Sequence, residues 1–222
     1  MHPFLDRSRA RYDSLGGALY DGVVARPAIA ALGARALWGA DIGVFFAPME
    51  AVANAPASIA ILDVPCGGGV VLERLPVDRG IRYVAVDHSP KMLARAGRVA
   101  AARGLKGVEF VEADVGALPF ADGTFDLCIS SAGLHCFPDP ARAVREMARC
   151  LKPGGSLVGS MAVAGAGARH DAVIAVFRRL AFFGTGGTED DLRRWLGDAG
   201  LEGVTVARSG ALVHFTGRAT PA

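Results

Sequence analysis

Three aspartates close successive apolar segments of the chain, and three glycines follow the first of them. Asp63 precedes the glycines at residues 67–69, and Asp87 and Asp114 close the next two segments. Glycines let a ligand approach the main chain closely, and a carboxylate at a strand end can accept hydrogen bonds from both hydroxyls of a ribose. Each aspartate alone also fits a helix cap or a turn. The three together predict a crevice that binds a ribose-containing ligand.

These aspartates need a scaffold that brings the ends of their segments together. From about residue 57 onward, apolar segments of strand length alternate with helical patterns, and nearly every position in these segments is apolar. Such segments are typical of parallel strands that helices cover on both faces. Ser89, Asp139 and Thr188 precede helical patterns as N-cap residues. The second of these helices is expected to stop at Pro153 and the two glycines after it.

The two ends of the chain differ from this alternation. About the first 55 residues show helical patterns and loops without strand-like segments. Near the C-terminal end, two strand-like segments flank Ser209 and Gly210, which predicts a hairpin. A hairpin at this place implies an antiparallel strand at the edge of the sheet.

Composition excludes several classes of protein. The 222 residues are 51% apolar and 21% charged, which suits one domain with one buried core. The net charge is +2 without a dense Lys/Arg block, so no nucleic-acid partner is expected. No window holds ~18 uncharged apolar residues and no leader-like segment occurs, so we expect a soluble, cytoplasmic protein without a membrane span. The four cysteines form no C-x-x-C pair, which predicts free thiols and no metal site.

Four motifs resemble, in order, the class I S-adenosylmethionine-dependent methyltransferases. They are "LDVPCGGG", "VAVDHSPKML", "EADVGALPFADGTFDLCISSAGLHCFPDP" and "REMARCLKPGG". The similarity runs from residue 58 to about residue 161 and is greatest to the small-molecule branch that includes the ubiquinone and menaquinone type. It implies S-adenosylmethionine as cofactor and a small, apolar or aromatic acceptor, and it leaves a homodimer open.

The resemblance also implies a fold and a division of the chain. The fold is α/β, with a doubly wound, mostly parallel seven-stranded sheet, a C-terminal antiparallel hairpin strand and an N-terminal helical cap. Residues 1–56 would form the cap and residues 57–160 the cofactor-binding core. Residues 161–187 would be a variable segment on the substrate side, and residues 188–222 the last helix and the hairpin.

In the resembling enzymes the glycine-rich loop holds the methionine part of the cofactor. The matching residues are Gly67 and Gly69 with the backbone around Pro65 and Cys66, and Asp63 would order the loop. Pro65 stands where the family usually has the first glycine. Proline has no N–H and fixes φ near −65°, so this residue cannot donate to the cofactor.

The adenosine part is expected at the next two aspartates. By the same resemblance, Asp87 would bind the ribose, with His88 and Met92 beside the adenine. Asp114 would accept from the adenine amino group, and the N–H of Val115 would meet a ring nitrogen.

The remaining predicted residues surround the reacting centre. Ser130 and Ser131 would line its floor. Tyr12 and Tyr20 resemble an N-terminal aromatic pair that closes over the cofactor, although ordinary helix packing fits them as well. His135 is the proposed catalytic residue, as a base for an oxygen or nitrogen acceptor, although a place in the pocket wall fits it as well. Five aromatic residues fit either an acceptor pocket or plain core: Trp38, Phe45, Phe46, Phe182 and Phe183.

Two other functions stay open. A nicotinamide-dependent oxidoreductase would need a third glycine where Leu72 stands, and the terminal hairpin also counts against it. A protein that binds the same cofactor but acts as a cyclase or a regulator would carry the same motifs.

Overall fold

The computed structural model describes residues 3–16 and 27–221. Within these ranges it has seven α-helices and seven β-strands. The helices are α1 (Pro3–Arg11), α2 (Pro27–Trp38), α3 (Ile42–Ala53), α4 (Pro90–Ala102), α5 (Pro140–Cys150), α6 (Ala168–Arg179) and α7 (Glu189–Asp198). The strands are β1 (Ala60–Asp63), β2 (Arg82–Asp87), β3 (Val108–Glu112), β4 (Phe125–Ser130), β5 (Leu151–Ala162), β6 (Leu201–Ser209) and β7 (Leu212–Ala219).

The seven strands form one sheet in the order β3-β2-β1-β4-β5-β7-β6. Strands β1 to β5 pair in parallel, whereas β7 pairs antiparallel with both β5 and β6. The predicted doubly wound, mostly parallel sheet with a terminal hairpin is therefore confirmed. Because the strand order reverses between β1 and β4, their carboxyl ends border a crevice, which is where ligands bind in open α/β sheets.

Helices cover both faces of the sheet, which explains why the central strands are apolar at nearly every position. Along β1, Leu62 packs on one face in a cluster with Met147 of α5, and Ile61 packs on the other face. The second cluster also contains Val52 of α3 and Ala96 of α4. The N-terminal helix α3 is thus part of the wall that buries the sheet.

The predicted N-caps are confirmed, but the end predicted for α5 is wrong. Ser89, Asp139 and Thr188 each accept a hydrogen bond from an N–H in the first turn of α4, α5 and α7, which typically stabilises a helix by ~1 kcal/mol. Helix α5 ends at Cys150, and Pro153 with its two glycines already belongs to β5. The chain leaves the helix early because β5 extends to Leu151, which pairs with Phe125 of β4.

The hairpin lies one position deeper in the sheet than expected. The antiparallel strand is β7, and it fills the gap between β5 and β6, so β6 forms the edge. Seven residue pairs join β5 to β7, from Ser156 with Arg218 to Ala162 with Leu212. The alternation of apolar side chains along a hairpin predicts which face of the hairpin is buried. It does not predict which of the two hairpin strands pairs with the rest of the sheet.

Candidate functional site

A cavity of about 390 Å³ opens at the carboxyl ends of the parallel strands. The loops after β1 to β4 line one side, and residues of the N-terminal helices and of the α6 region line the other. Ten predicted site residues line it: Pro65, Cys66, Gly67, Asp87, His88, Met92, Asp114, Val115, Ser131 and His135. Asp63, Gly69 and Ser130 do not line it, and Tyr20 lies outside the described residues.

Asp87 ties the loops after β1 and β2 together at the floor of the cavity. One carboxylate oxygen accepts from the N–H of Gly67 at 2.9 Å, and the other accepts from the N–H of Ser89 at 2.9 Å. Burial raises the pKa of Asp87, against the lowering effects of nearby His88 and of these N–H groups. Nδ1 of His88 also lies 3.5 Å from the oxygen that Ser89 binds. The oxygen that Gly67 binds has a second lone pair, with which Asp87 can accept a ribose hydroxyl without giving up its loop contacts.

The glycine-rich loop does not offer the N–H groups that its sequence suggests. Cys66 donates its N–H to Val86, Gly67 donates to Asp87, and Gly69 donates to Cys66. Pro65 has no N–H at all. These three N–H groups and Pro65 therefore offer no donor to a phosphate in the cavity.

Gly69 has a packing role in this structure. A Cβ at this residue would lie 2.9 Å from the Cα of Ala96 in α4, closer than side chains tolerate, and its φ is +90°. Gly67 also has a positive φ, of 51°, and lines the cavity. Two glycines of this motif therefore have different roles. Gly69 lets α4 approach β1, and Gly67 leaves room for a ligand.

Asp63 lies beneath the loop with no exposed surface. One carboxylate oxygen accepts from the Tyr83 hydroxyl at 2.7 Å, and the other oxygen has no partner among the described residues. Burial raises the pKa of Asp63 to about 7, the Tyr83 hydrogen bond lowers it, and the charge of Asp87 raises it further. Asp63 is thus half protonated near neutral pH, and its role in ordering the loop stays a prediction.

We predict that Asp63 makes the protein less stable as the pH rises from about 4 to 7. In this range the unfolded chain has lost the proton while the folded chain keeps it, so the free energy of unfolding falls by roughly 1.4 kcal/mol per pH unit. The loss is complete above the folded pKa of about 7. Asp63→Asn cannot ionise and can still accept from Tyr83, so it should lack this loss.

Denaturant titrations of both proteins at half-unit pH steps test this prediction. The stability difference between Asp63→Asn and the parent should grow with pH and level off above pH 7. Parallel stability curves for the two proteins would show that Asp63 ionises normally.

Two buried polar atoms at the floor of the cavity have no partner among the described residues. They are Nε2 of His88 and Oγ of Ser131, and both residues line the cavity. Buried polar atoms are rarely left without a hydrogen bond. Asp114 also lines the cavity and caps a short turn by accepting from the N–H of Gly116 at 2.8 Å. This end of the cavity is therefore suited to a polar ligand.

The opposite end of the cavity is aromatic. All five aromatic residues that the sequence left between pocket and core line it: Trp38, Phe45, Phe46, Phe182 and Phe183. Phe183 stacks on Trp38 and on Phe177, with ring centroids 5.9 Å and 5.0 Å apart. Among the described residues that line the cavity, two are acidic, Asp87 and Asp114, and none is Glu, Lys or Arg. The aromatic end therefore has no such charge and fits an apolar ligand.

Tyr12 joins the N-terminal cap to the segment after α6. It lies in a π-helical turn that follows α1, and its hydroxyl donates to the carbonyl oxygen of Phe182 at 3.2 Å. The same hydroxyl meets Sγ of Cys136 at 3.3 Å, and the Tyr12 ring meets His88 edge to face. Burial raises the pKa of the Cys136 thiol to about 12, so this thiol is not a nucleophile. Tyr12 thus lines the cavity, and its closing over a cofactor stays a prediction.

The sequence did not predict the contact between the loop after β1 and the loop after β4. A Cβ at Gly133 would lie 2.3 Å from Cδ of Pro65 and 2.4 Å from Oγ of Ser130. The loops after β1 and β4 therefore touch through a glycine and a proline that are distant in sequence. Small residues of α2 were also missed: Ala30, Gly33 and Ala34 line the cavity, and their spacing of three and four residues was the available signal.

Two other features are absent from the described residues. No group of three or more His, Cys, Asp or Glu side chains is placed to hold a metal ion. None of the helices in residues 3–16 and 27–221 combines the length and the apolar character needed to cross a membrane.

Comparison with known proteins agrees with this geometry. Residues 62–159, from β1 to β5, match the family model described as "Methyltransferase domain". This segment is similar to methyltransferase domains. The match includes the loops after β1, β2 and β4, so the matched segment supplies the polar floor of the cavity. The aromatic end comes largely from residues outside it.

Individual relatives cover the methyltransferase domain and part of its surroundings. A demethylmenaquinone methyltransferase from Thermus thermophilus is 46% identical over 102 residues, which are 44% of each chain. The chain spans about half the length of the curated relatives it matches. A Haemonchus contortus phosphoethanolamine N-methyltransferase, solved with S-adenosylhomocysteine, superposes with a TM-score of 0.69 at 14% identity, over 79% of this chain and 52% of that one. The [4+2]-cyclase SpnF superposes at 0.64 with 22% identity, over 78% and 80%. At these identities the two structures show the fold alone.

Proposed function

We propose that this protein transfers a methyl group from S-adenosylmethionine to a small apolar or aromatic acceptor. The observation that carries the proposal is the single cavity with two unlike ends. Its floor, at the strand ends, bears two carboxylates and unpartnered polar atoms, and its other end is aromatic. A cofactor and an apolar acceptor can therefore meet inside one cavity.

The floor of the cavity fits S-adenosylmethionine by its donors and charges. Asp87 would hold the ribose, Asp114 the adenine amino group, and His88 and Met92 the two sides of the adenine. The loop at residues 65–67, where Pro65 has no N–H and the N–H groups of Cys66 and Gly67 are used within the protein, would face the ammonium and sulfonium cations. Unlike charges attract strongly where water is scarce, and the raised pKa of Asp87 should fall when such a cation binds.

The bound cofactor supplies a methyl group that is activated on its sulfonium. The protein has to align the acceptor with that group, and alignment alone can supply ~7 to 11 kcal/mol of barrier reduction. The aromatic end offers flat surfaces for this purpose: Phe177, Phe183 and Trp38 form a stacked wall. Under this proposal residues 1–56 act as the cap, residues 57–160 bind the cofactor, residues 161–187 contact the acceptor, and residues 188–222 complete the sheet.

The nicotinamide alternative is disfavoured by the charges in the cavity. A dinucleotide carries a pyrophosphate, which needs free N–H groups or basic side chains. The N–H groups of Cys66, Gly67 and Gly69 are used within the protein, and no described lining residue is Lys or Arg. The likeness to a cyclase structure keeps a non-transferring role as the second candidate function.

Calorimetry and product analysis separate these functions. We expect S-adenosylmethionine and S-adenosylhomocysteine to bind with measurable heat, and NAD not to bind. Incubation with methyl-labelled cofactor and a panel of phenols, naphthols and cyclic ketones should then yield a labelled product, which mass spectrometry detects. Binding without any labelled product would favour the non-transferring role. Absence of binding by both adenosyl compounds would contradict the proposal.

A cytoplasmic location and a homodimer remain predictions from the sequence.

A further inference from the structure

The ring of His135 is held in one orientation. His135 lies in a short 3-10 turn after β4, and its Nδ1 accepts a hydrogen bond from the N–H of Ala162 at 3.2 Å. Its own carbonyl oxygen accepts from the N–H of Gly184 at 2.9 Å. A ring nitrogen that accepts a hydrogen bond carries no proton, so the proton of the neutral ring is on Nε2.

The ring stays neutral at physiological pH. Burial lowers the pKa of His135 to about 3. Because Nδ1 already uses its lone pair and Nε2 carries the proton, the ring has no free lone pair with which to remove a proton. The base role expected from the sequence would require the ring to break its bond to Ala162.

The protonated nitrogen belongs to a residue of the cavity wall. His135 lines the cavity, and its ring packs edge to face on Phe183, with centroids 4.3 Å apart. Among the described residues, none accepts a hydrogen bond from Nε2. A hydrogen-bond donor beside an aromatic wall selects ligands that carry an acceptor, because an apolar ligand would leave the donor unpaired.

We propose that His135 determines acceptor specificity by donating its Nε2 proton to a carbonyl oxygen of the acceptor. The acceptor class is then an apolar ring compound with at least one neutral oxygen that accepts a hydrogen bond. This inference rests on the proposed function in that it assigns the aromatic end to the acceptor. It replaces proton removal by recognition as the task of His135.

Two substitutions distinguish the Nε2 donor of His135 from the hydrogen bond between Ala162 and Nδ1 that orients the ring. His135→Asn places an oxygen near the position of Nδ1, so it keeps the bond to Ala162 and removes the donor. His135→Gln places an amide near Nε2, so it keeps a donor and loses the bond to Ala162. The probes are 1-tetralone and tetralin, which have the same fused ring skeleton with and without a carbonyl group. Binding is measured by NMR titration with and without S-adenosylhomocysteine.

The parent protein and His135→Gln should bind 1-tetralone about tenfold more tightly than tetralin, as the loss of one hydrogen bond predicts. His135→Asn should bind both probes alike while unfolding at a temperature close to that of the parent. Side-chain ¹⁵N spectra should show the Nε2-protonated ring, with a signal that 1-tetralone shifts and tetralin leaves in place.

Equal binding of the two probes by the parent protein, binding of neither, or a proton on Nδ1 would each overturn the proposal. A ketone preference that survives in His135→Asn would overturn it as well. These outcomes are distinct from failure of the proposed function, which appears as absence of S-adenosylhomocysteine binding whatever the ketone preference.

Discussion

Asp87→Asn is expected to weaken the binding of S-adenosylhomocysteine at least 100-fold. Both oxygens of Asp87 accept from main-chain N–H groups, those of Gly67 and Ser89. A carboxamide has one acceptor atom, so its NH₂ group would face one of these donors. Hydrogen bonds to a charged group contribute ~1.5–3 kcal/mol each, and the ribose would lose its partner in the same step. Isothermal titration calorimetry measures the change in affinity directly.

The matched control for this substitution is Asp126→Asn. Asp126 also binds a main-chain N–H, that of Ala60, and it pairs with Lys152, but it lies at the start of β4, at the opposite end of the strands. Asp126→Asn should lower the stability of the protein. It should leave the affinity for S-adenosylhomocysteine within about twofold of the parent, because no described contact links Asp126 to the cavity. An affinity of Asp87→Asn within fivefold of the parent would show that the cofactor site has been misplaced.

Gly133→Ala is expected to lower both the stability of the protein and its affinity for S-adenosylhomocysteine. The φ of −96° at Gly133 is ordinary for alanine, so backbone strain is not the reason. The added Cβ would lie 2.3 Å from the Pro65 ring and 2.4 Å from the Ser130 hydroxyl, and the loops after β1 and β4 would have to separate. Overpacking of this kind costs ~1–3 kcal/mol. Because Pro65 lines the cavity, affinity for S-adenosylhomocysteine should fall at least tenfold along with stability.

Gly97→Ala is the control for the added methyl group. Gly97 lies inside α4, and a Cβ there would meet no atom within 4 Å. Removing a glycine from a helix interior should stabilise the protein by ~0.5–1 kcal/mol. Thermal unfolding and calorimetry of both variants test the pair, and unchanged affinity in Gly133→Ala would mean that the two loops do not position the cofactor.

Much of the scaffold could be predicted from the sequence because its signals are local. Apolar segments, caps such as Ser89 and aspartates at strand ends each depend on neighbours within a few residues. The division of labour between Gly67 and Gly69 could not be predicted, because it depends on Ala96 in a helix that the chain forms later. The contact of Pro65 with Gly133 joins two loops that no local pattern links.

The role of His135 could not be predicted either, because it also depends on a residue that is distant in sequence. A histidine after β4 is consistent with a base as long as the residue is seen alone. Its proton position depends on the N–H of Ala162, a residue at the far end of β5. The pattern of residues could therefore place His135 near the reacting centre but could not say which ring nitrogen carries the proton.

The position of β7 has a consequence for synthesis of the protein on the ribosome. Strand β7 is translated well after β5 and pairs with it along seven residues, including Ala162, which anchors the His135 ring. Until β7 has left the exit tunnel, β5 has a free edge and the strand that carries this anchor has no outer neighbour. A nascent chain can thus assemble the β1 to β4 part of the cavity early, whereas the part that would choose the acceptor is completed only once β7 has emerged.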